Sequence, residues 1–200
     1  MKKTGSTVKL ASPPAIIASA SVVGAKEGDG PLRAGYDYIS SDSYFGEKTW
    51  EKAESSMFRR CFTTVCDKAA LAPSELDYIL AGDLLNQCIG SAFALKDSGA
   101  PYFGLYGACS TMAESLLLGS VLVDGGYASN VATGVSSHYC TAERQFRMPL
   151  EHGNQRPPSA QWTATAAGAM VVSQNDSQQE QFIDESGSLV NMKNICIESG

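Results

Sequence analysis

An α/β fold with a mostly parallel sheet and a buried central helix is what this sequence predicts, on three observations. Runs of strand character alternate with runs of helical length and period. One of the helical runs, Cys109 to Asp124, is apolar around nearly its whole circumference, which marks a buried helix. Gly, Pro or Asp punctuates the junctions between the runs.

The elements follow in order. Ile16 to Val23 is rich in β-branched residues and reads as the first strand. Gly24 to Gly35 is polar and glycine-rich and reads as a surface loop. From Thr49 a helical pattern runs to about Leu71, with Trp50, Ala53, Met57, Cys61, Thr64 and Val65 at three-to-four spacing and Ala72-Pro73 closing it. Tyr78 to Ala81 is the second strand, Gly82-Asp83 its turn, and Leu84 to Lys96 a helix ended by Gly99. Pro101 to Tyr106 is the third strand, and the apolar helix follows, with Thr111 and Glu114 in position for a capping box and Gly125-Gly126 at its end. Asn130 to Ser137 is the fourth strand. An irregular stretch from His138 to Trp162 contains Pro149, Pro157 and Pro158, and Ala169 to Val172 is a last strand. From Gln174 onward polar residues dominate, and residues 174–200 read as a poorly ordered tail.

Composition narrows the function. A formal charge of −6 with no cluster of Lys and Arg excludes a phosphate-tracking surface, so no nucleic acid is expected as partner. The six cysteines are scattered, which suits reduced thiols better than a disulfide scaffold. With no Cys-x-x-Cys pair and two histidines, no metal site and no cofactor are expected. Lys2 and Lys3 before Ala15–Ala25 superficially copy a signal peptide, but Pro13, Pro14, Ser19 and Ser21 and the β-branched content make that run a strand. No run approaches the roughly 18 apolar residues of a membrane span, and the segment 24–35 has neither G-x-G-x-x-G nor a Walker pattern.

Two residues stand where chemistry gathers in such folds. Cys109 lies between a strand and the N-terminus of the apolar helix, where unpaired amides and the helix dipole stabilise a thiolate. Cys61, Cys66, Cys88 and Cys140 have no such setting and read as packing residues. Asp83 follows a strand and precedes a helix, at the same carboxyl edge of the sheet; as an N-cap it would accept the first helix amides, and that role can coexist with ligand binding. His138 lies just past the fourth strand and His152 in the irregular stretch, and neither has a visible partnership with Cys109.

The segments Gly30-Pro-Leu, Ala81-Gly-Asp-Leu-Leu-Asn-Gln, Tyr106-Gly-Ala-Cys-Ser-Thr, Ser136-Ser-His-Tyr-Cys-Thr-Ala-Glu-Arg-Gln-Phe-Arg and Gln155-Arg-Pro-Pro-Ser-Ala-Gln-Trp-Thr together resemble the stage V sporulation protein AD family, within the thiolase-like superfamily. The resemblance runs through about residue 173. It implies a thiolase-like N-terminal half over residues 1–173, with 174–200 outside the family pattern and the chain a shortened product whose uncovered apolar surface favours self-association. It further implies a protein that is not an enzyme but binds dipicolinic acid, with or without calcium, through Asp83 and Cys109. The resemblance also implies partners among the membrane proteins of the same sporulation operon and a place peripheral to the inner membrane of the forespore or spore. Asp83 is an awkward neighbour for a dicarboxylate unless calcium intervenes, it carries a proton, or it accepts from a nearby donor. Two alternatives stand beside this: an acyltransferase of the thiolase or ketoacyl-synthase kind with Cys109 as nucleophile, and an interaction-only piece of a spore-membrane assembly.

Overall fold

The computed structural model describes residues 2–5, 7–145 and 163–175. Its elements are β1 (Lys2–Thr4), β2 (Thr7–Lys9), β3 (Ala15–Val23), α1 (Ala25–Gly28), β4 (Tyr38–Ile39), α2 (Trp50–Ala69), β5 (Tyr78–Gly82), α3 (Ile89–Leu95), β6 (Tyr102–Gly104), α4 (Thr111–Asp124), β7 (Asn130–Ser137), α5 (Tyr139–Gln145) and β8 (Ala166–Ser173). The expected tail at 174–200 lies outside the described residues apart from its first two positions, as do His152 and the segment 155–162.

β1 and β2 form a small antiparallel hairpin. The remaining strands make one six-stranded sheet in the order β4-β3-β8-β7-β5-β6. The pairs β3–β4, β5–β6 and β5–β7 are parallel, and only β8 runs against its neighbours β3 and β7. The period-2 alternation of the strands sorts their side chains between two cores. Ala18, Ala20, Val22, Ile79, Ala81, Ala132, Ala167, Ala169 and Val171 face α2, whose buried stripe includes Met57, Phe58, Cys61, Phe62 and Val65. Leu80, Val131 and Val172 face the opposite way, towards Val123, Leu116 and Leu122 of α4. The α2 side matches large helix residues to small strand residues. A Cβ on Gly134 would sit 2.8 Å from the Phe58 ring, so the phenyl group occupies the space a side chain there would fill.

Local chemistry accounts for the helix ends. The Thr49 hydroxyl accepts from the Lys52 amide at 3.3 Å and caps α2. The helix expected from Leu84 forms only from Ile89, because Gln87 and Cys88 adopt positive φ and a short 3₁₀ turn, Asn86–Cys88, precedes it. The Gly24–Gly35 segment is not simple loop but holds α1 and a 3₁₀ turn at Arg33–Gly35. The stretch after His138 begins as α5, and β8 extends three residues before and one after the expected Ala169–Val172.

The apolar helix needs a correction of its own. α4 presents Thr111, Ser115, Gly119, Ser120 and Val123 to the sheet, while Met112, Leu116, Leu117, Val121 and Leu122 are half-buried and Leu118 is exposed. Its small, partly polar face is the buried one. Gly119 explains why: a Cβ there would already lie 3.3 Å from Val131 and Thr133, so the helix packs with its backbone close to the strand. Gly119→Val should therefore destabilise the fold by about 1–3 kcal/mol through overpacking, whereas Leu118→Ser should stay within about 0.5 kcal/mol. Chemical denaturation of the two variants checks the order, and the reverse order would mean that α4 is rotated.

Candidate functional site

The strands β5, β6 and β7 end together at one edge of the sheet, and α3, α4 and α5 each begin there. Both residues singled out in the sequence are at this edge. Asp83 follows directly on β5 and is buried, 1% exposed. Its Oδ1 accepts from the Leu85 amide at 2.8 Å, and its Oδ2 accepts from the Ser91 amide at 2.7 Å and the Ser91 hydroxyl at 2.6 Å. It does not cap a helix at Leu84; it reaches across the intervening turn to the third residue of α3 instead. Ser91 also lies 2.8 Å from the Tyr102 hydroxyl, which donates on to Ala81 O, so the carboxylate ties β5, α3 and β6 into one network. Of the ways in which an anionic side chain could be tolerated here, acceptance from neighbouring donors is what the geometry provides.

Cys109 is exposed, in a 3₁₀ turn, Ala108–Ser110, that joins β6 to α4. Ala108 stands at φ 50°, a left-handed conformation costing roughly 1–2 kcal/mol for a residue with a Cβ. Hydrogen bonds hold the turn against that cost. The Thr111 hydroxyl accepts from the Gly107 amide and donates to Ala108 O, and the Ser110 hydroxyl donates to Gly107 O. These bonds also explain why the capping box expected of Thr111 and Glu114 is absent. The turn runs into α4 with helical backbone already at Ser110, and the Thr111 hydroxyl faces back to the turn. Glycine at position 107 leaves room for the Glu114 carboxylate and the Ser110 hydroxyl, which a Cβ there would approach within 2.4 and 2.7 Å and displace.

The loops bearing Asp83 and Cys109 are stitched together. The Tyr106 hydroxyl donates to Leu84 O, the Cys88 thiol donates to Leu105 O, and a Cβ on Gly82 would collide with Leu105 O at 1.9 Å. The two side chains nevertheless point differently, Cys109 outward and Asp83 into its own network.

His138 is buried and occupied. Its Nδ1 accepts from the Cys140 amide, so the ring proton is on Nε2, which donates to Ser43 O at 2.8 Å. Trp50 packs against the ring, and burial lowers its pKa. His138 is thus a neutral structural imidazole. Cys61 and Cys66 are buried thiols, pushed up to about 12 and about 11 by burial, and they keep the packing role read from the sequence.

Sequence reasoning missed Glu54. It is fully buried one turn into α2, on the same stripe as Met57, Phe58 and Cys61. Its Oε1 accepts from the Ser136 hydroxyl at 3.0 Å, and Oε2 lies 2.5 Å from the Thr141 hydroxyl. A carboxylic acid on the apolar face of a helix was the signal available. A groove of about 440 Å³ lies elsewhere, on the outer side of α2 and α3 between Glu51, Arg59, Ile89 and Phe93, and contains neither Asp83 nor Cys109.

With this geometry in place, comparison with known proteins is informative. The model of the family described as Stage V sporulation protein AD matches residues 4–193. Stage V sporulation protein AD of Bacillus subtilis (strain 168) is 39% identical over 175 residues, which are 87% of this chain and 52% of that protein. Among solved structures, 3-oxoacyl-[acyl-carrier-protein] synthase III from Aquifex aeolicus VF5 superposes with a TM-score of 0.53 at 18% identity over 82% of this chain and 54% of its own. The priming β-ketosynthase of the R1128 polyketide pathway gives 0.56 at 16% identity over 86% and 53%. The fold is therefore thiolase-like, and the chain spans about half the length of the relatives it matches.

Asp83→Asn should cost about 1–3 kcal/mol, because an amide cannot accept at both ends and leaves either the Leu85 or the Ser91 donors unsatisfied. Gly90→Ala should also destabilise, despite alanine's better helix propensity, since the added methyl group would lie 3.3 Å from Asp83 and 3.4 Å from Glu54. Thermal unfolding of both variants is the check; an unchanged Asp83→Asn protein would show the network to be dispensable.

Proposed function

The chain belongs to the stage V sporulation protein AD family, and from that premise we propose that it is a ligand-binding rather than a catalytic member of the thiolase-like fold, taking dipicolinic acid at the carboxyl edge around Asp83 and Cys109. The observation that carries this reading is the exposed Cys109 turn at the head of α4, beside a second loop built on Asp83. A helix N-terminus offers amides and partial positive charge to a carboxylate, and dipicolinate brings two carboxylates. The hydrogen bonds that Asp83 accepts from Leu85 and Ser91 support its presence near an anion, and calcium could bridge the remainder. In the cell, we assign it a peripheral place at the inner spore membrane, with membrane proteins of the same operon as partners. No helix among the described residues is long and apolar enough to cross a membrane. Phe103, Tyr106, Leu118 and Tyr127 are exposed and support self-association or association with such partners.

The runner-up is acyl transfer with Cys109 as nucleophile, favoured by the superposition on condensing enzymes and by the strained Ala108 beside the thiol. Against it, the described imidazole, His138, has both ring nitrogens engaged elsewhere.

Titration of the 200-residue chain with dipicolinate, with and without calcium, should raise its unfolding temperature, with about 2.7 kcal/mol of added stability at a hundredfold excess over Kd. Cys109→Ala is the discriminating variant. Cys109 is exposed, so its loss should leave unliganded stability within about 0.5 kcal/mol while weakening the ligand-induced shift. No shift in the parent chain would remove the ligand assignment. A thioester adduct on Cys109 after incubation with an acyl-CoA, seen by intact mass, would favour the acyltransferase.

A further inference from the structure

Glu54 and Asp83 come from different parts of the chain and meet at Gly90. The point that a Cβ on Gly90 would occupy is 3.3 Å from Cγ and Oδ2 of Asp83 and 3.4 Å from Cδ of Glu54. Glu54 is fully buried and Asp83 is 1% exposed. The ion pairs found among the described residues involve Asp29, Asp37 and Asp97, and neither of these two carboxyl groups has a cationic partner there. Two enclosed carboxyl groups that flank one residue with no cation between them raise each other's cost of ionisation, and burial adds to that cost, which favours a retained proton on one of them.

The hydrogen-bond geometry assigns it. Each oxygen of Asp83 accepts from a backbone amide, Oδ1 from Leu85 and Oδ2 from Ser91, and an amide can only donate, which favours the ionised form; the Ser91 hydroxyl, within reach of both Oδ2 and Cys88 O, adds to this. Thr141 has one hydroxyl hydrogen and two acceptors in reach, His138 O at 2.9 Å and Glu54 Oε2 at 2.5 Å. The partners of Glu54, by contrast, include the Thr141 and Ser136 hydroxyls, which donate to the ionised carboxylate but can turn to accept once it is protonated, Thr141 then keeping its bond to His138 O.

We propose that Glu54 and Asp83 form a proton-binding site that holds one proton, on Glu54, under mildly acidic conditions and gives it up around neutrality, and that release of this proton loosens the junction of α2, α3 and α5 beneath the carboxyl edge. Burial raises the Glu54 carboxyl to about 7; the hydrogen bonds that Thr141 and Ser136 donate to its ionised form work against the rise, and the charge of Asp83 adds to it. The sign of the effect follows. The folded chain keeps a proton that the unfolded chain releases above the ordinary value of 4.5, so Glu54 lowers stability progressively as pH rises from there to about 7.

The neighbouring titratable groups do not duplicate this. Tyr102, connected through Ser91, is pushed up to about 12, and Cys88 is raised by burial. Glu51, one turn earlier on α2, acts on the His138 ring. His138, at the start of α5, is shifted down by burial, so its contribution runs the other way and is lost as pH falls through its titration. Cys140 contacts His138 through its backbone amide.

The test is a carbon-13 NMR titration of the side-chain carboxyl groups in the 200-residue chain, with Glu54→Gln to assign the resonance. One carboxyl should titrate at about 7, above the ordinary range, and disappear in Glu54→Gln, and Asp83→Asn should bring its midpoint down. In parallel, the drop in unfolding temperature between pH 5 and pH 8 should be smaller by about 5 °C in Glu54→Gln than in the parent, since the amide fills the same space without titrating. Glu54 titrating in the ordinary carboxyl range would overturn the proposal, as would equal pH slopes for parent and variant. If Glu54→Gln does not fold, the parent titration and its response to Asp83→Asn still decide: no elevated carboxyl overturns it, and an elevated one that falls supports it.

Discussion

The carboxyl edge depends on one buried anchor, the Asp83 carboxylate. It fixes the first residues after β5, holds the start of α3 through two bonds from Ser91, and extends through Ser91 and Tyr102 to the carbonyl of Ala81. Because Gly82 lets Leu105 pass against the strand, the loop leading to Cys109 packs directly beside this anchor. A charged group sealed from water must have its hydrogen bonds satisfied by the protein. Here that requirement decides where α3 begins and how far the β6 loop can stray. The exposed thiol and the buried carboxylate are thus two ends of one rigid construction.

Much of this was legible in the sequence. Asn130 to Ser137 is the fourth strand as read, the helix expected from Thr49 to about Leu71 spans Trp50–Ala69, and the strand–turn–helix placement of Cys109 is what Tyr106-Gly-Ala-Cys-Ser-Thr suggests. Glycine and hydroxyl residues at fixed offsets leave few backbone paths, which is why short motifs carried so far. The helix expected at Leu84 failed for an instructive reason. Local propensity favours helix over 84–88, but Asp83 takes the Leu85 amide, and positive φ at Gln87 and Cys88 turns the chain so that Ser91 can reach the same carboxylate. A tertiary hydrogen bond overrode a local preference.

The same limit applies to α4 and Glu54. Hydropathy identified α4 as a helix with apolar surface all round but not which face meets the sheet, because small residues score weakly and yet allow the closest approach. Glu54 shares the helical stripe of Met57, Phe58 and Cys61, which hints at burial but names no partner. Only the position of Ser136, Thr141 and Gly90, each distant in sequence, shows that it is enclosed. Single-residue chemistry can be read locally; the meeting of two carboxyl groups cannot.

The place of β8 in the sheet has a consequence in time. It is the last described strand, yet it lies between β3 and β7, antiparallel to both, and among the described strands it alone joins the β3–β4 pair to the β5–β6–β7 group by a hydrogen-bonded ladder. As the chain leaves the ribosome, those two groups emerge without a common ladder, each showing an unpaired edge. They become one sheet only when Ala166–Ser173 inserts between them, closing contacts that in β3 span some 150 residues. Such late, long-range closure is slow, and until it happens the nascent protein has two open flanks for a chaperone to guard.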